Sequence, residues 1–221
     1  TNVNSTPTCT ASSSVLNVCN VFTTTITAPA TVNITLNNGV NPGSTQPTST
    51  FSVSSYYNAT GLVATGTISG FTPTPGTLSN TYVSITPVNN KVMASPVNYT
   101  IKFNNLNKIP INGIVIIKFP SDITSTNLTN ATCQRSLNGG TTTTTNCSAT
   151  NSSTGFTFNL SNMFTSTELS ANSTISITIS SSLINPVSTQ VLGEFTITTT
   201  DSLGYVIDQG TGYKPTFVAA D

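Results

Sequence analysis

Few side chains in this sequence could do chemistry. Six carboxylates are present, Asp122, Glu168, Glu194, Asp201, Asp208 and Asp221, and there is no histidine. A glycosidase needs two carboxyls facing one another across a cleft. Glu194, Asp201 and Asp208 instead recur every seven residues and read as groups at or near strand ends. Asp201 and Asp208 could share a calcium ion, but no Asp-x-Asp-x-Asp-Gly loop surrounds them, and solvated strand ends account for them. Without histidine a serine or cysteine nucleophile lacks its usual base, and no glycine-rich loop with a lysine is present to hold phosphate. No catalytic residue, metal ligand or cofactor is expected, and the chain does not read as an enzyme.

Four cysteines fall as two close pairs, Cys9 with Cys19 and Cys133 with Cys147. Neither is a Cys-x-x-Cys pair, so zinc and thioredoxin-like chemistry find no support. Proximity favours the disulfides 9–19 and 133–147, each closing a short loop and worth about 3 kcal/mol if unstrained. Such bonds belong outside the reducing cytosol, so an extracellular or cell-surface location is expected; free thiols in a cytosolic protein are the alternative.

Acceptor sequons of the form Asn-x-Ser/Thr stand at Asn4, Asn33, Asn58, Asn98, Asn127, Asn130, Asn146, Asn151, Asn159 and Asn172. With 26 Asn and a third of the chain Ser or Thr, chance supplies about as many, so the composition itself is what needs a reason. Only 5% of residues are charged, the net charge is zero, and residues 1–90 carry no Asp, Glu, Lys, Arg or His. The six cations are dispersed, which excludes a nucleic-acid surface. No apolar run approaches the ~18 residues of a membrane helix, the strongest being Ile114 to Ile117, broken by Lys118. The first residues lack the charged and apolar regions of a signal peptide, as expected of a mature product. A surface so poor in ions needs another source of hydration. Covalent glycans on the sequons, and on Thr141 to Thr145 or the Thr72-Pro73-Thr74-Pro75 stretch, would supply it, with bare hydroxyls and amides as the alternative.

The elements that carry these residues read as strands. Val97, Tyr99, Ile101 and Phe103 alternate with polar residues, as do Phe156, Phe158 and Leu160, and Ile175, Ile177 and Ile179. Turn chemistry separates the runs at Asn37-Asn38-Gly39, Asn41-Pro42-Gly43, Asn112-Gly113 and Asn138-Gly139-Gly140. No sustained 3.6-residue period is present, and only 161–170 could hold one helical turn. Tyr56 and Tyr57, adjacent on a strand, must point to opposite faces, so one is expected in a core and the other on the surface.

Sliding the chain against itself by 144 residues exposes an internal repeat. Asn41-Pro42-Gly43-Ser44-Thr45-Gln46 then meets Asn185-Pro186-Val187-Ser188-Thr189-Gln190, Phe51 meets Phe195, Val63 meets Ile207, and Gly66-Thr67 meets Gly210-Thr211. The second copy has two strand runs, Val97–Phe103 and Gly113–Phe119, ahead of its cysteine pair, and the first has almost nothing ahead of Cys9. Copies sharing a fold would leave the first short of two strands, a gap that β-augmentation by a partner repairs; a smaller self-sufficient first domain is the alternative. The chargeless first half also lacks the lysines that usually guard sheet edges.

The run Val97-Asn98-Tyr99-Thr100-Ile101-Lys102-Phe103, followed by Ile109-Pro110-Ile111-Asn112-Gly113-Ile114-Val115-Ile116-Ile117-Lys118-Phe119-Pro120-Ser121, resembles the repeat of large Ser/Thr/Asn-rich surface proteins of ciliates and other microbial eukaryotes. The stretch from Ile184-Asn185-Pro186-Val187-Ser188-Thr189 to Phe195-Thr196-Ile197-Thr198-Thr199-Thr200-Asp201 is similar to the same repeat, and 41–66 is its partial copy. The resemblance implies an extracellular Ig-like coat or filament role with no known active site. The sequence departs from immunoglobulins in its missing tryptophan and in cysteine pairs that close short loops.

The expected fold is all-β, two tandem Ig-like antiparallel β-sandwiches with little or no helix. Residues 1–86 form an N-terminal sandwich that reads as an incomplete repeat, and residues 87–221 a C-terminal one. The expected role is a structural subunit of an extracellular glycoprotein filament or coat, partnered by copies of itself through strand complementation. An adhesin or carbohydrate-binding module, reading ligands through loops near Thr141 or Tyr56, is the alternative.

Overall fold

The computed structural model describes residues 6–220 apart from 13, 14, 20, 28, 29, 38, 58, 59, 191 and 192. In chain order its strands are β1 (Thr8–Ser12), β2 (Val15–Cys19), β3 (Phe51–Tyr57), β4 (Gly61–Ile68), β5 (Gly76–Thr77), β6 (Ser84–Pro87), β7 (Val97–Asn104), β8 (Ile114–Pro120), β9 (Thr124–Ser125), β10 (Thr132–Leu137), β11 (Thr143–Ser152), β12 (Gly155–Ser161), β13 (Thr174–Ile184), β14 (Phe195–Thr200) and β15 (Val206–Tyr213). Among the described residues the one helical piece is a 3-10 turn at Asn80–Tyr82, capped by the Ser79 hydroxyl, which accepts from Thr81 N. The 161–170 stretch is not helical. Its backbone is taken up by a neighbouring loop: Asn112 N donates to Phe164 O, and Ile109 and Leu169 exchange both of their hydrogen bonds.

The chain divides into two compact units, Thr1–Val40 and Asn41–Asp221. The first contains the hairpin β1–β2, paired so that Cys9 faces Val18 and Cys19 faces Thr8. Neighbours along a strand point to opposite faces, so Cys9 and Cys19 lie on opposite sides of the hairpin. The expected 9–19 disulfide is therefore absent, and both thiols are free and exposed.

The second unit contains the sandwich and begins well before the expected boundary at 86/87. β5 pairs in parallel with β15, and β6 pairs with β7, because Leu78 and Ile85 beside them are apolar and buried in the core. One layer runs β5-β15-β14-β8-β12-β11 and the other β6-β7-β13-β10-β11. β11 serves both layers: Thr143–Thr145 pair with β10, and Asn146–Ser152 pair with β12. Cys133 and Cys147 are bonded across that crossing, with Cα atoms 5.9 Å apart.

Period-two alternation places the core where the sequence pattern puts it. Tyr99, Ile101 and Phe103 of β7, Phe158 and Leu160 of β12, and Ile175, Ile177 and Ile179 of β13 are fully buried. Phe119 of β8 is the hub of an aromatic cluster, its ring centroid 4.6 Å from Phe195, 4.9 Å from Phe156 and 5.5 Å from Tyr99. The turns use left-handed backbone where asparagine tolerates it, with φ of 62° at Asn112 and of 50° and 72° at Asn138 and Gly139.

Candidate assembly surface

The internal repeat is structural as well as sequential. Hairpin β3–β4 pairs Ser52 with Thr67, Val53 with Gly66, Ser54 with Thr65, Ser55 with Ala64 and Tyr56 with Leu62. Hairpin β14–β15 pairs Thr196 with Thr211, Ile197 with Gly210, Thr198 with Gln209, Thr199 with Asp208 and Thr200 with Val206. Each of these five pairs of the first becomes a pair of the second on adding 144, with a shared bulge at Ser55/Tyr56 and Thr199/Thr200; the end pair differs, Phe51 meeting Ile68 but Phe195 meeting Tyr213 across a second bulge.

Their surroundings differ completely. β14 lies against β8, with Ile197 opposite Ile117, and Phe195, Ile197, Ile207 and Tyr213 are 0%, 0%, 2% and 5% exposed. β3 and β4 form a two-stranded sheet by themselves. Phe51, Val53 and Val63, equivalent to Phe195, Ile197 and Ile207, are 47%, 51% and 66% exposed, Ile68 opposite Phe51 is 57% exposed, and the ring of Phe71 stacks on Phe51 with centroids 6.4 Å apart. Tyr56 and Tyr57 are both exposed, contrary to the expectation of one core and one surface tyrosine, since β3–β4 is a two-stranded sheet that contributes no residue to the buried core cluster. Side chains that make a core in one copy thus form a bare apolar face in the other, the kind of patch that marks an interaction surface.

A second recurrence joins the copies within the chain. The Ser44 hydroxyl donates to Asp201 Oδ2 at 2.8 Å, Thr45 N donates to Val206 O at 2.7 Å, and Val206 N donates to Thr45 Oγ1 at 3.0 Å. Asp201 Oδ1 meanwhile accepts from Leu203 N and Tyr205 N and so shapes the turn that receives Ser44. Asn185 opens the second Asn-Pro-x-Ser-Thr-Gln block and is buried: its Oδ1 accepts from the Tyr99 hydroxyl at 2.6 Å, and its Nδ2 donates to Asn89 O and Lys91 O at 2.7 and 2.8 Å. These roles of Ser44, Thr45, Asn185 and Tyr99 were not assigned from the sequence, although recurrence of the six-residue block was the signal that could have found them.

The carboxylates are spread through the fold. Glu168 and Glu194 form exposed ion pairs with Lys108 and Lys214, of the kind worth little to stability. Asp122 accepts from Gly193 N at 2.7 Å. Asp208 departs from the expected solvated strand end. It is wholly buried inside β15, accepting from Leu106 N, Asn107 N and Asn107 Nδ2. Burial raises its pKa above the usual carboxylate range, opposed by the Asn107 and Leu106 donors. Burial likewise raises the hydroxyl pKa of Tyr99 and of Tyr213. Asp221 lies outside the described residues, and no three His, Cys, Asp or Glu side chains gather as metal ligands among those described.

Of the sequon asparagines, Asn33, Asn98, Asn127, Asn130, Asn146, Asn151 and Asn172 are exposed and Asn159 is half-buried on the sheet surface. Asn4 and Asn58 lie outside the described residues. At Asn127 the sequon hydroxyl of Thr129 donates to the asparagine Oδ1 at 2.7 Å. Thr141 to Thr144 are exposed as well, whereas the Thr145 hydroxyl is buried and donates to Ser161 O.

No family model and no curated protein matches the chain. Among solved structures it is similar to AvmM, described as catalysing macrocyclization in alchivemycin A biosynthesis, at 7% identity and a TM-score of 0.34, covering 64% of this chain and 90% of that one. It is also similar to the collagen binding domain of the Erysipelothrix rhusiopathiae surface protein RspB, at 13% identity and a TM-score of 0.31, covering 77% of this chain and 54% of that one. At these scores neither neighbour bears on what the chain does.

Proposed function

We propose that this chain is a structural subunit of an extracellular glycoprotein filament or coat, assembled from copies of itself by β-strand complementation and without enzymatic activity, as its resemblance to microbial eukaryotic surface repeats implies. The observation that carries the reading is hairpin β3–β4. Five of its pairs match those of β14–β15, yet it is bare where β14 has β8 at its edge and a core beneath it. A strand from a neighbouring copy, taking the place of β8, satisfies the open edge and buries Phe51, Val53 and Ile68 together. The bonded Cys133–Cys147 pair and the exposed sequon asparagines support an oxidising, glycosylating route to the cell surface.

Analytical sedimentation and negative-stain imaging of the secreted, glycosylated chain test the reading. Polymers are expected, and the double substitution Phe51→Ser with Val53→Ser is expected to suppress them while leaving the sandwich melt unchanged. A chain that stays monomeric at all concentrations overturns the proposal. The exposed Tyr56 and Tyr57 favour a second reading, a surface-binding module. Binding of the monomer to a glycan array or to cells, lost on Tyr56→Ala with Tyr57→Ala, would select it.

A further inference from the structure

The two thiols of hairpin β1–β2 are free and exposed, while the other cysteine pair of the same chain, Cys133 and Cys147, is oxidised. Residues opposite one another across an antiparallel pair share a face, and neighbours along a strand do not. The register sets Cys9 opposite Val18 and Ala11 opposite Leu16, so Cys9 shares its face with three apolar residues, of which Leu16 is 41% exposed. Cys19 stands opposite Thr8, on the other face, in a surface made mostly of Thr10, Ser12 and Asn17. One thiol thus sits in an apolar patch and the other in a patch of hydroxyls and an amide, and they point in opposite directions. A hairpin with both thiols on one face could serve a single neighbour, whereas this one is open to two.

We propose that Cys9 and Cys19 are cross-linking sites between copies of this chain, Cys9 bonding to Cys9 of one neighbouring copy and Cys19 to Cys19 of another. This rests on the extracellular homopolymer reading, since the reaction needs a disulfide oxidant such as oxidised glutathione, which a reducing cytosol does not maintain. The thiolate of one chain attacks that disulfide and expels one glutathione thiolate, and the thiolate of the second chain then displaces the other. One disulfide forms and one breaks, and the two electrons and the two cysteine protons end on two molecules of reduced glutathione. A lone chain keeps both thiols, because oxidation waits for two copies to meet. Like pairs with like because the faces differ: the apolar patch around Cys9 gains from burial against another apolar patch, and a face paired with itself is the isologous contact of a two-fold dimer. With a second link directed the opposite way, each hairpin joins two others and the links continue from chain to chain.

The full secreted chain, treated with oxidised glutathione and run on denaturing gels with and without reductant, tests the links, and sedimentation velocity in reductant reports non-covalent assembly separately. The wild type is expected to give a ladder of dimers, trimers and larger species that reductant collapses. Cys9→Ser and Cys19→Ser should each stop at the dimer, and the two together should give no linked species. In the Cys19→Ser background, Leu16→Ser is expected to lower the dimer yield roughly fivefold, the worth of part of a buried leucine, and in the Cys9→Ser background to leave it unchanged. An unchanged melting temperature of the sandwich checks the fold of each variant. Single variants that stay monomeric, a dimer yield indifferent to Leu16→Ser, or peptide mapping that finds Cys9 bonded to Cys19 overturns the proposal, and polymers that persist in reductant then leave the homopolymer reading standing. A wild type that forms the ladder yet is monomeric in reductant keeps the links and removes strand complementation, and one that does neither removes both.

Discussion

Asn185 and Asn41 are equivalent in sequence and opposite in surroundings, so replacing each by alanine separates packing from motif. At Asn185 the substitution removes two bonds, to Asn89 O and Lys91 O, and strands the Tyr99 hydroxyl, which is 0% exposed. The two carbonyl bonds are worth about 0.5–1.5 kcal/mol each, and a buried hydroxyl left without a partner adds about 1–3 kcal/mol. Asn185→Ala should therefore cost about 4 kcal/mol and lower the melting temperature by roughly 10 °C, at the 2–4 °C per kcal/mol of a unit this size. Asn41 is exposed, and Asn41→Ala should stay within about 0.5 kcal/mol. Urea unfolding followed by near-ultraviolet circular dichroism, which reports the buried tyrosine, measures both. Tyr99→Phe provides the partial case, since it leaves the two carbonyl bonds in place. Equal costs for Asn185→Ala and Asn41→Ala would refute the claim that the two copies of the block hold different structural roles.

Other outcomes follow from single sites. Gly210→Ala puts a methyl group against the Tyr213 hydroxyl and should destabilise the sandwich by about 1–3 kcal/mol, whereas Gly66→Ala, in the equivalent position with open space around it, should be neutral in denaturant titrations of the monomer. Asp208 has a raised pKa in the folded state, so between the unfolded and folded values the native chain holds the extra proton. Stability contributed by this group is thus greatest at low pH and falls as pH rises from about 4 through the folded value, and Asp208→Asn should flatten that slope in melts run at stepped pH. Maleimide labelling of the native chain should modify Cys9 and Cys19 and spare Cys133 and Cys147, as read by mass spectrometry. Breaking the 133–147 bond with Cys133→Ala and Cys147→Ala should cost about 3 kcal/mol in thermal unfolding.

Much of the sandwich was legible because its strands alternate strictly. Tyr99, Ile101 and Phe103, or Ile175, Ile177 and Ile179, admit one buried face and no helix, and the asparagine turns at 112 and 138 adopt the backbone their residue types favour. What the pattern could not supply was whether a given apolar face has something to pack against. Tyr56 and Tyr57 point to opposite faces of β3, so one was expected in a core, yet both are exposed, because burial is decided by strands remote in sequence. Cys9 and Cys19 are close enough along the chain to pair, but a hairpin register that offsets them by one position sends their side chains apart. Asp208 was misjudged for the complementary reason: the Asn107 amide and two backbone N–H groups that make its burial tolerable come from about a hundred residues away.

The strands at the two ends of the sandwich also bear on how it withstands a pull. β5 runs parallel to β15, with Asp208 beside Gly76 and Gln209 beside Thr77, and Lys91 runs parallel to Val218 a little further on, where Val92 N and Val218 N complete two more bonds. Tension applied along the chain slides such parallel neighbours past each other, so their hydrogen bonds strain all at once and cannot open one by one like a zipper. In the proposed filament, a pull along the chain would load this seam in shear.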